Sequence, residues 1–396
     1  MKLVLHIGTE KTGTTLLQSW LYANQDRLVK QGVFLSERIG KPYNRELATY
    51  FRSAYDDHWN LHNLKTIAEK EAHYAGFLES LRAEISEAAL HCHTMVITSE
   101  HFHSRLTEPD DLARFADFCR ETFSEISIVC YLRPQWDVRK SLYSTGVKTN
   151  TSTPFSEFSR DPTEDSPYFN YEHLYHRWKE AFPEAALDFR LYDRALFVDG
   201  DIRKDFLSAV SATLDAEALD FSLDSANESV QLLMAHAMMA INRALPLFVG
   251  GGMDRRNYTY KGMVTRVDAL DKGTLYDDQA QHIHDTFQES NARLAREVFG
   301  RDQLFDPPRE TAQEDISLPI SEVAQIVEDV VFALVRDTAA RTLTNPEVNL
   351  IRDTALKFES GEKVSKEDAI GLMQIASRTR PDGPLIKDRL KKWTQS

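Results

Sequence analysis

Cysteine is scarce in this chain of 396 residues, and long hydrophobic runs are missing. There are only three cysteines, Cys92, Cys119 and Cys130, and such a small, odd number does not indicate a disulfide framework. No apolar stretch approaches the ~20 residues that a membrane-spanning helix needs. The apolar run before Gly8 is also too short for a secretory signal. These absences predict a cytoplasmic protein without a membrane span.

An excess of basic residues is missing as well. The chain has 47 Lys and Arg residues against 61 Asp and Glu residues, which gives a formal net charge of -14 at pH 7. Proteins that bind nucleic acid usually present a net basic surface, so this balance argues against a nucleic-acid partner. An anionic ligand would have to be held by a few local basic groups.

Short apolar runs alternate with amphipathic segments along the first half of the chain. Four runs rich in apolar and β-branched residues are typical of buried strands: residues 2–7, 94–98, 126–132 and 187–192. The segment after the first run places Leu17 and Leu21 on one helical face and stops at Gly32. "PDDLARFADFCRETF" opens with the proline and acids that suit a helix start. This alternation predicts an α/β fold with a parallel β-sheet flanked by helices and right-handed crossovers.

The remaining segments divide into loops and a helical C-terminal part. Weak periodicity predicts long loops over the active face at residues 40–75, 145–170 and 248–262. In the helical part, Ser365 and Asp368 form a capping-box pattern. The apolar stripe of residues 321–340 is typical either of core or of a surface through which the C-terminal helices form a homo-oligomer. We therefore predict an α/β domain at residues 1–310 and a helical C-terminal extension at residues 311–396.

The strongest motif, "HIGTEKTGTTLLQSWL", directly follows the first predicted strand. Gly8 and Gly13 keep the spacing of a phosphate-binding loop, and Thr15 stands where that loop has Ser or Thr. Thr14 replaces the usual lysine, while a lysine occurs three residues earlier as Lys11. Glycines let the backbone approach an anion, and the N–H groups at the start of the next helix favour its charge. The segment predicts an anion site with a displaced lysine.

A second motif, "YLRPQWDVRKSLYS", closes the third predicted strand. Arg133 stands at the carboxyl edge of that strand, and Ser141 follows eight residues later on the next helix. Ligands bind at this edge in open α/β sheets, where an arginine can bind a phosphate through two hydrogen bonds. Taken alone, such an arginine more often forms a surface salt bridge.

Together the two motifs resemble those of sulfotransferases that use 3′-phosphoadenosine 5′-phosphosulfate (PAPS). "GTEKTGTT" is similar to their 5′-phosphosulfate loop, "LRPQWDVRKSLYS" to their 3′-phosphate motif, and "FRLYDRALFVDGDIRKDFL" to a later strand and helix. The resemblance covers about residues 1–300 and implies a P-loop NTPase-like three-layer sandwich that binds PAPS. The residues that it assigns to the 5′-phosphosulfate are Lys11, Thr12, Gly13, Thr14 and Thr15. It implies that Arg133 and Ser141 hold the 3′-phosphate and that Tyr192 lies against the adenine.

This family resemblance also explains the displaced lysine. A sulfuryl donor has no γ-phosphate and needs no Mg²⁺, so the activity is expected to be metal-independent. It needs a cation near the oxygen that bridges sulfur and phosphorus, because negative charge grows there as the bond breaks. Lys11 is the candidate for this role in an in-line transfer.

An acceptor hydroxyl also needs a base. The second predicted strand delivers "ITSEHFHSR" to the same sheet edge, so Glu100 and His101 are the candidates, with His103 behind them. Glu100 is favoured, because "SE" after this strand resembles the bacterial and carbohydrate-acting branches of the family. The alternative is that Glu100 only caps the strand end or pairs with an arginine.

Two other groups of residues are not assigned to the site, and no metal site is predicted. The "HCH" of residues 91–93, taken with His101 and His103, matches no closed zinc site, and a surface turn is the favoured interpretation. The basic residues of "DRRNYTYKG" have no clean counterpart in the family.

The predicted function is transfer of a sulfuryl group from PAPS to a hydroxyl of a carbohydrate or small-metabolite acceptor. Two alternatives stay open. A P-loop small-molecule kinase would require Mg²⁺. A non-catalytic nucleotide-binding protein would bind the nucleotide without any base that supports turnover.

Overall fold

A computed structural model describes most of the chain. It covers residues 1–158, 162–223, 230–308 and 345–395, apart from residues 250–251, 254, 274, 276, 362–363 and 381, together with a few single residues between 309 and 344. The chain divides into two compact units. The first contains residues 1–146, 153–229 and 275–313, and the second contains residues 147–152, 230–274 and 314–396.

The described elements alternate between strands and helices in the first unit and are mainly helical in the second. The strands are β1 Lys2–His6, β2 Val33–Phe34, β3 Thr94–Thr98, β4 Glu125–Leu132, β5 Ala186–Leu191, β6 Phe248–Val249 and β7 Gly252–Met253. The helices are α1 Thr14–Ala23, α2 Gln25–Val29, α3 Arg45–Phe51, α4 Ile67–His73, α5 Phe77–Ala88, α6 His101–Arg105, α7 Pro109–Thr122, α8 Gln135–Thr149, α9 Tyr171–Ala181, α10 Ile202–Val210, α11 Leu232–Ala244, α12 Arg255–Val264, α13 Ala280–Leu294, α14 Asn345–Leu356, α15 Lys366–Thr379 and α16 Pro384–Gln395.

A five-stranded parallel sheet forms the centre of the first unit. Its strand order is β2-β3-β1-β4-β5, so β1 lies between β3 and β4. All four predicted strands are confirmed, as is the prediction of an α/β fold with a parallel sheet flanked by helices. The edge strand β2 was not predicted, because two residues are too few to show a pattern.

Helices cover both faces of this sheet. Leu3 and Leu5 of β1 point to one face and pack with α3, α5, α7 and α9. Val4 points to the other face and packs with α1, α2 and α10. Successive side chains of a strand face opposite sides, and here both sides are buried. The central strands β1, β3 and β4 therefore consist mainly of apolar residues, as is typical of parallel sheets.

The predicted long loops are wrong in part, because short helices occupy them. Residues 40–75 contain α3, a 3₁₀ helix at Asp57–His62, and α4. The start of α4 is fixed by a capping box, in which the Thr66 hydroxyl accepts from the backbone N–H of Glu69 and the Glu69 carboxylate accepts from that of Thr66. Helices of seven residues are too short to show a clear apolar periodicity, and α3 begins without a side-chain cap. Likewise, α8 extends into 145–170, and 248–262 holds the β6–β7 hairpin and α12.

The second unit differs from the predicted C-terminal extension in its extent. Besides residues 314–396, it includes residues 230–274, which the sequence had placed in the α/β domain. In its C-terminal part, Met373 and Trp393 belong to a core formed by α14, α15 and α16. One half of the predicted capping box of α15 is confirmed, because the Ser365 hydroxyl accepts a hydrogen bond from the backbone N–H of Asp368 at 3.1 Å. The Asp368 carboxylate accepts from the Ser365 hydroxyl at 2.6 Å and not from its backbone N–H.

The apolar helix predicted at residues 321–340 lies outside the described residues, apart from a few single positions. None of the helices in the described part of the chain combines the length and apolar character needed to cross a lipid bilayer.

Candidate anion-binding and transfer site

The predicted anion loop joins β1 to α1 at the carboxyl edge of the sheet. Gly13 is the N-cap of α1 with φ 73°, and Lys11 is also in the left-handed region with φ 68°. No side chain in the described residues caps α1. The first N–H groups of this ten-residue helix are therefore available to a ligand. Such a helix start is suited to an anion.

Hydrogen bonds fix the base of the loop. The backbone N–H and the hydroxyl of Thr9 both donate to the carbonyl oxygen of Tyr131 on β4, at 3.0 and 3.1 Å. The buried hydroxyl of Thr12 donates to the carbonyl oxygen of Thr9 at 2.6 Å. The Thr12 side chain therefore shapes the loop from inside, and a ligand would meet its backbone instead.

The tip of the loop, at Lys11, contacts Arg133 directly after β4 and Thr145 in α8. The Nζ of Lys11 donates to Oγ1 of Thr145 at 2.5 Å, and Nη1 of Arg133 donates to the carbonyl oxygen of Lys11 at 3.1 Å. Oγ1 of Thr145 in turn donates to the carbonyl oxygen of Ser141, one helical turn earlier, at 3.1 Å. The structure thus brings Lys11, Arg133 and the turn of Ser141 together, although they are distant in sequence.

The ring of Tyr192 lies beside the loop. A Cβ atom added to Gly13 would lie 3.1 Å from Oη of Tyr192. The guanidinium carbon of Arg133 lies 5.7 Å from the centre of the Tyr192 ring. Glycine at position 13 therefore serves two needs, a left-handed backbone and room for this ring.

Glu100 is held beside the loop by the helix that follows it. Its Oε2 accepts a hydrogen bond from Nε2 of Gln18 at 2.6 Å, and the buried Thr14 also hydrogen-bonds to the carboxylate. Thr15, the next residue of α1, is exposed. Burial raises the pKa of Glu100 above its ordinary value, and the hydrogen bonds from Gln18 and Thr14 oppose this only in part. The nearby charge of Glu10 raises it further.

The two histidines that follow Glu100 are both uncharged at neutral pH. Burial, together with the charge of Arg45, lowers the pKa of His101 to about 4. Burial also lowers the pKa of His103 to about 4, and Nε2 of this residue pairs with the carbonyl oxygen of Tyr168 at 2.9 Å. Nδ1 of His101 is buried and has no hydrogen-bond partner among the described residues.

Three residues of this site were not predicted from the sequence. Gln18 follows Thr14 by one turn of α1, and Thr145 follows Ser141 by one turn of α8, so helical spacing could have indicated both. Glu10 gave no such signal, because its partners are distant: Tyr168 donates to Oε2 at 2.9 Å, and Ser104 also hydrogen-bonds to it. Burial raises the pKa of Glu10, but these hydrogen bonds and the nearby imidazoles of His103 and His101 together outweigh burial, and the pKa is lowered.

A matched pair of glycine substitutions tests the packing of the loop. Gly13 and Gly76 both have φ 73° and both precede a helix, but nothing lies within 4 Å of a Cβ added to Gly76. Gly13→Ala should lower the free energy of unfolding by about 1–3 kcal/mol more than Gly76→Ala, because it also displaces Tyr192. Urea unfolding of the two variants measures the difference. Equal destabilisation would contradict the contact between Gly13 and Tyr192.

Comparisons with known proteins identify one relative and no family. No family model matches the chain, and no solved structure matches it. A protein of Archaeoglobus fulgidus that is described as uncharacterized is 31% identical over 211 residues, which cover 53% of this chain and 55% of that protein. The chain thus spans about half the length of the curated relative that it matches, and the name of that relative states no function.

Proposed function

We propose that this protein is a sulfotransferase that moves a sulfuryl group from PAPS to an acceptor hydroxyl. The observation that carries the proposal is the position of Lys11. Its Nζ is at the tip of the loop beside Thr145, and its carbonyl oxygen accepts from Arg133. A lysine directly after the second glycine would reach the β- and γ-phosphates of a nucleoside triphosphate. Lys11 instead suits a donor whose reactive bond lies at the 5′ end of a nucleotide without a γ-phosphate.

In this proposal the donor occupies two anion sites at the edge of a P-loop NTPase-like three-layer sandwich. The 5′-phosphosulfate meets the backbone N–H groups at the start of α1 and the side chain of Lys11. The 3′-phosphate meets Arg133, with Ser141 completing its hydrogen bonds. Tyr192, which already lies between Gly13 and Arg133, would contact the adenine.

The reaction is then an in-line displacement at sulfur. The acceptor oxygen forms a bond to sulfur while the bond from sulfur to the bridging oxygen breaks, and the acceptor proton passes to a base. Adenosine 3′,5′-bisphosphate leaves with negative charge on the former bridging oxygen. Lys11 stabilises that charge, which exists more fully in the transition state than in the bound donor.

Glu100 fits the role of base better than His101. A general base works best when its pKa lies near the operating pH. The pKa of Glu100 is raised by burial, which makes it a stronger base, whereas that of His101 is lowered to about 4, which makes it a weaker one. Glu100 is also oriented by Gln18. The acceptor class remains a carbohydrate or small-metabolite hydroxyl.

One observation favours a second candidate, a P-loop small-molecule kinase. The hydrogen bond between Thr14 and Glu100 joins a loop threonine to an acid at the end of the neighbouring strand, and such a pair can hold Mg²⁺ in a phosphate loop. In that kind of loop, however, the hydroxyl that binds Mg²⁺ would belong to position 15 and a lysine would stand at position 14. Position 15 does carry a threonine, but it is exposed, and position 14 carries threonine instead of lysine.

The two anion sites predict a preference for a doubly phosphorylated nucleotide. Adenosine 3′,5′-bisphosphate should bind more tightly than 5′-AMP in calorimetric titration. Arg133→Ala should remove most of that preference, a loss of about 1.5–3 kcal/mol for hydrogen bonds to a charged group. Arg82→Ala, which removes an exposed arginine paired with Glu121, is the control and should bind like the wild type. Equal affinity of the wild type for both nucleotides would rule out the 3′-phosphate assignment.

Lys11→Met should depress kcat by about 10²-fold or more, the effect of removing one preorganised charge donor. The affinity for adenosine 3′,5′-bisphosphate should fall by less, because the lysine acts mainly on the transition state. Steady-state kinetics with PAPS, alongside calorimetry, separates the two effects. Lys179→Met removes an exposed lysine of α9 and serves as the control.

Two outcomes of the same assay would contradict the proposal. Transfer from PAPS should proceed without added Mg²⁺, so transfer from ATP that depends on Mg²⁺ would favour the kinase. Normal turnover of PAPS by the Lys11→Met variant would remove the lysine from the mechanism.

Glu100→Gln should preserve nucleotide affinity and lower turnover by ~10²–10⁴-fold, the usual range for a general base. The active form of Glu100 is the carboxylate, and its folded pKa lies above the ordinary value of 4.5. In the wild type, kcat/KM should therefore fall as the pH drops through a value above 4.5, and this acidic limb should be absent from the variant. Turnover lost in His101→Ala but kept in Glu100→Gln would transfer the role to His101. Nucleotide binding by the wild type without transfer to any acceptor would instead favour a non-catalytic nucleotide-binding protein.

A further inference from the structure

A cluster of histidines surrounds one glutamate in the segment between β2 and α5. Glu46 lies on α3, His62 ends the 3₁₀ helix at Asp57–His62, and His73 ends α4. Each of these residues offers a ligand atom, and the three atoms lie within 4.8 Å of one another. They come from three separate elements, so the fold rather than local sequence brings them together.

Hydrogen bonds fix the orientation of the glutamate at the centre of the cluster. Oε1 of Glu46 lies 2.9 Å from Nε2 of His58 and 2.9 Å from Nε2 of His62. The hydroxyl of Tyr74 donates to Oε2 of the same carboxylate. The rings of His62 and His73 are inclined at 35°, with their centres 4.4 Å apart. Two imidazoles therefore converge on one oxygen, while a third lies against one of them.

The charge of the glutamate also suits a cation. The Glu46 side chain is a carboxylate and is only 16% exposed. Its neighbours are imidazoles, which bind metal ions in their neutral form.

We infer that Glu46, His62 and His73 bind a divalent transition-metal ion, with zinc the preferred ion. Imidazole nitrogen and carboxylate oxygen are donors that zinc accepts, with bonds of about 2.0–2.2 Å. Tetrahedral angles at such bond lengths place the ligand atoms about 3.3–3.5 Å apart. The pair now 2.9 Å apart would open by a few tenths of an ångström, and the wider pairs would close around the ion.

His58 and Tyr74 complete the site without touching the metal. Ligating carboxylates are themselves usually hydrogen-bonded, and such partners hold the ligand in position. Because His73 is exposed, the fourth coordination position faces solvent and is open to water. The two histidines of "HCH" do not belong to the cluster. The inferred site differs from the sequence-based expectation that the chain binds no metal.

Metal binding at this site would add a further connection between three short elements that hydrogen bonds already join, among them those from Nζ of Lys70 to the carbonyl oxygens of Tyr50 and Arg52. It would join α3 to α4 through the 3₁₀ helix. Arg45, next to Glu46, bonds to Asp56 at 2.5 Å, and Asp56 lies 3.5 Å from Arg105 at the end of α6. Since α6 begins at His101, the ion would stabilise one wall of the candidate transfer site. The inference does not rest on the proposed function, because it concerns binding of the metal alone.

Zinc titration of the untagged full-length chain, first stripped with chelator and dialysed, tests the site. We expect saturable binding of one zinc ion per chain in the micromolar range or tighter by competition calorimetry. His62→Ala and His73→Ala should each weaken binding by about 100-fold or more, beyond the range typical of residues that only support ligands. Tyr74→Phe should weaken zinc binding by about 10–100-fold, because the substitution removes only a hydrogen bond that orients the Glu46 carboxylate.

A matched control uses another histidine–glutamate pair. Nε2 of His176 also lies 2.9 Å from a carboxylate, that of Glu297, but no metal-binding group of three forms there among the described residues. His176→Ala should bind zinc like the wild type. Zinc should raise the melting temperature of the wild type and of this control, but not that of the two ligand variants.

Folding of the variants and the identity of the ligands are checked separately. His73 is exposed, so its alanine variant should keep the circular dichroism spectrum of the metal-free wild type. Cobalt(II) in place of zinc should give visible absorption bands that His73→Ala loses. Absence of saturable zinc binding by the wild type would overturn the inference. So would wild-type affinity in His62→Ala and His73→Ala, which would place the ion among the other histidines of the chain.

Discussion

The position of β1 between β3 and β4 is the constraint on which the candidate site depends. His6 pairs with Thr98 on one side and with Val129 on the other, so three parallel strands end near one another at the same sheet edge. The loop after β1, the turn at Glu100 and the residue Arg133 all follow directly from these strand ends. Thr9 then joins the loop to β4 through the Tyr131 carbonyl. No single motif could assemble this edge alone.

The sheet could be predicted because β1, β3 and most of β4 are buried on both faces and consist mainly of apolar residues, whereas the edge strand β5 is less buried and contains Asp188 and Arg190. The start of α1 at Thr14 could be predicted because glycine spacing marks such a turn. The helices at Arg45–Phe51 and Ile67–His73 could not be found from hydrophobic periodicity, because each has only seven residues. The Thr66–Glu69 capping box is nevertheless a signal in the sequence for the start of the second of these helices.

Contacts across long separations limited the prediction of the site itself. Lys11 and Thr145 are 134 residues apart, and Glu10 and Tyr168 are 158 apart. Nothing in the neighbourhood of either residue indicates such pairs. These contacts also decide the electrostatics, because Glu10 has hydrogen-bond donors that keep it ionised, whereas burial dominates at Glu100. Two acids close to one loop thus acquire different proton affinities from their surroundings alone.

The left-handed backbone of Lys11 has a consequence for the stability of the whole chain. That conformation costs a residue with a Cβ roughly 1–2 kcal/mol, and Lys11 adopts it at φ 68°. Glycine would fit the same backbone at lower cost, and the hydrogen bond from Nζ of Lys11 to Thr145 offsets part of that cost. Under the proposed function, the loop would exchange some local stability for a positive charge at its tip.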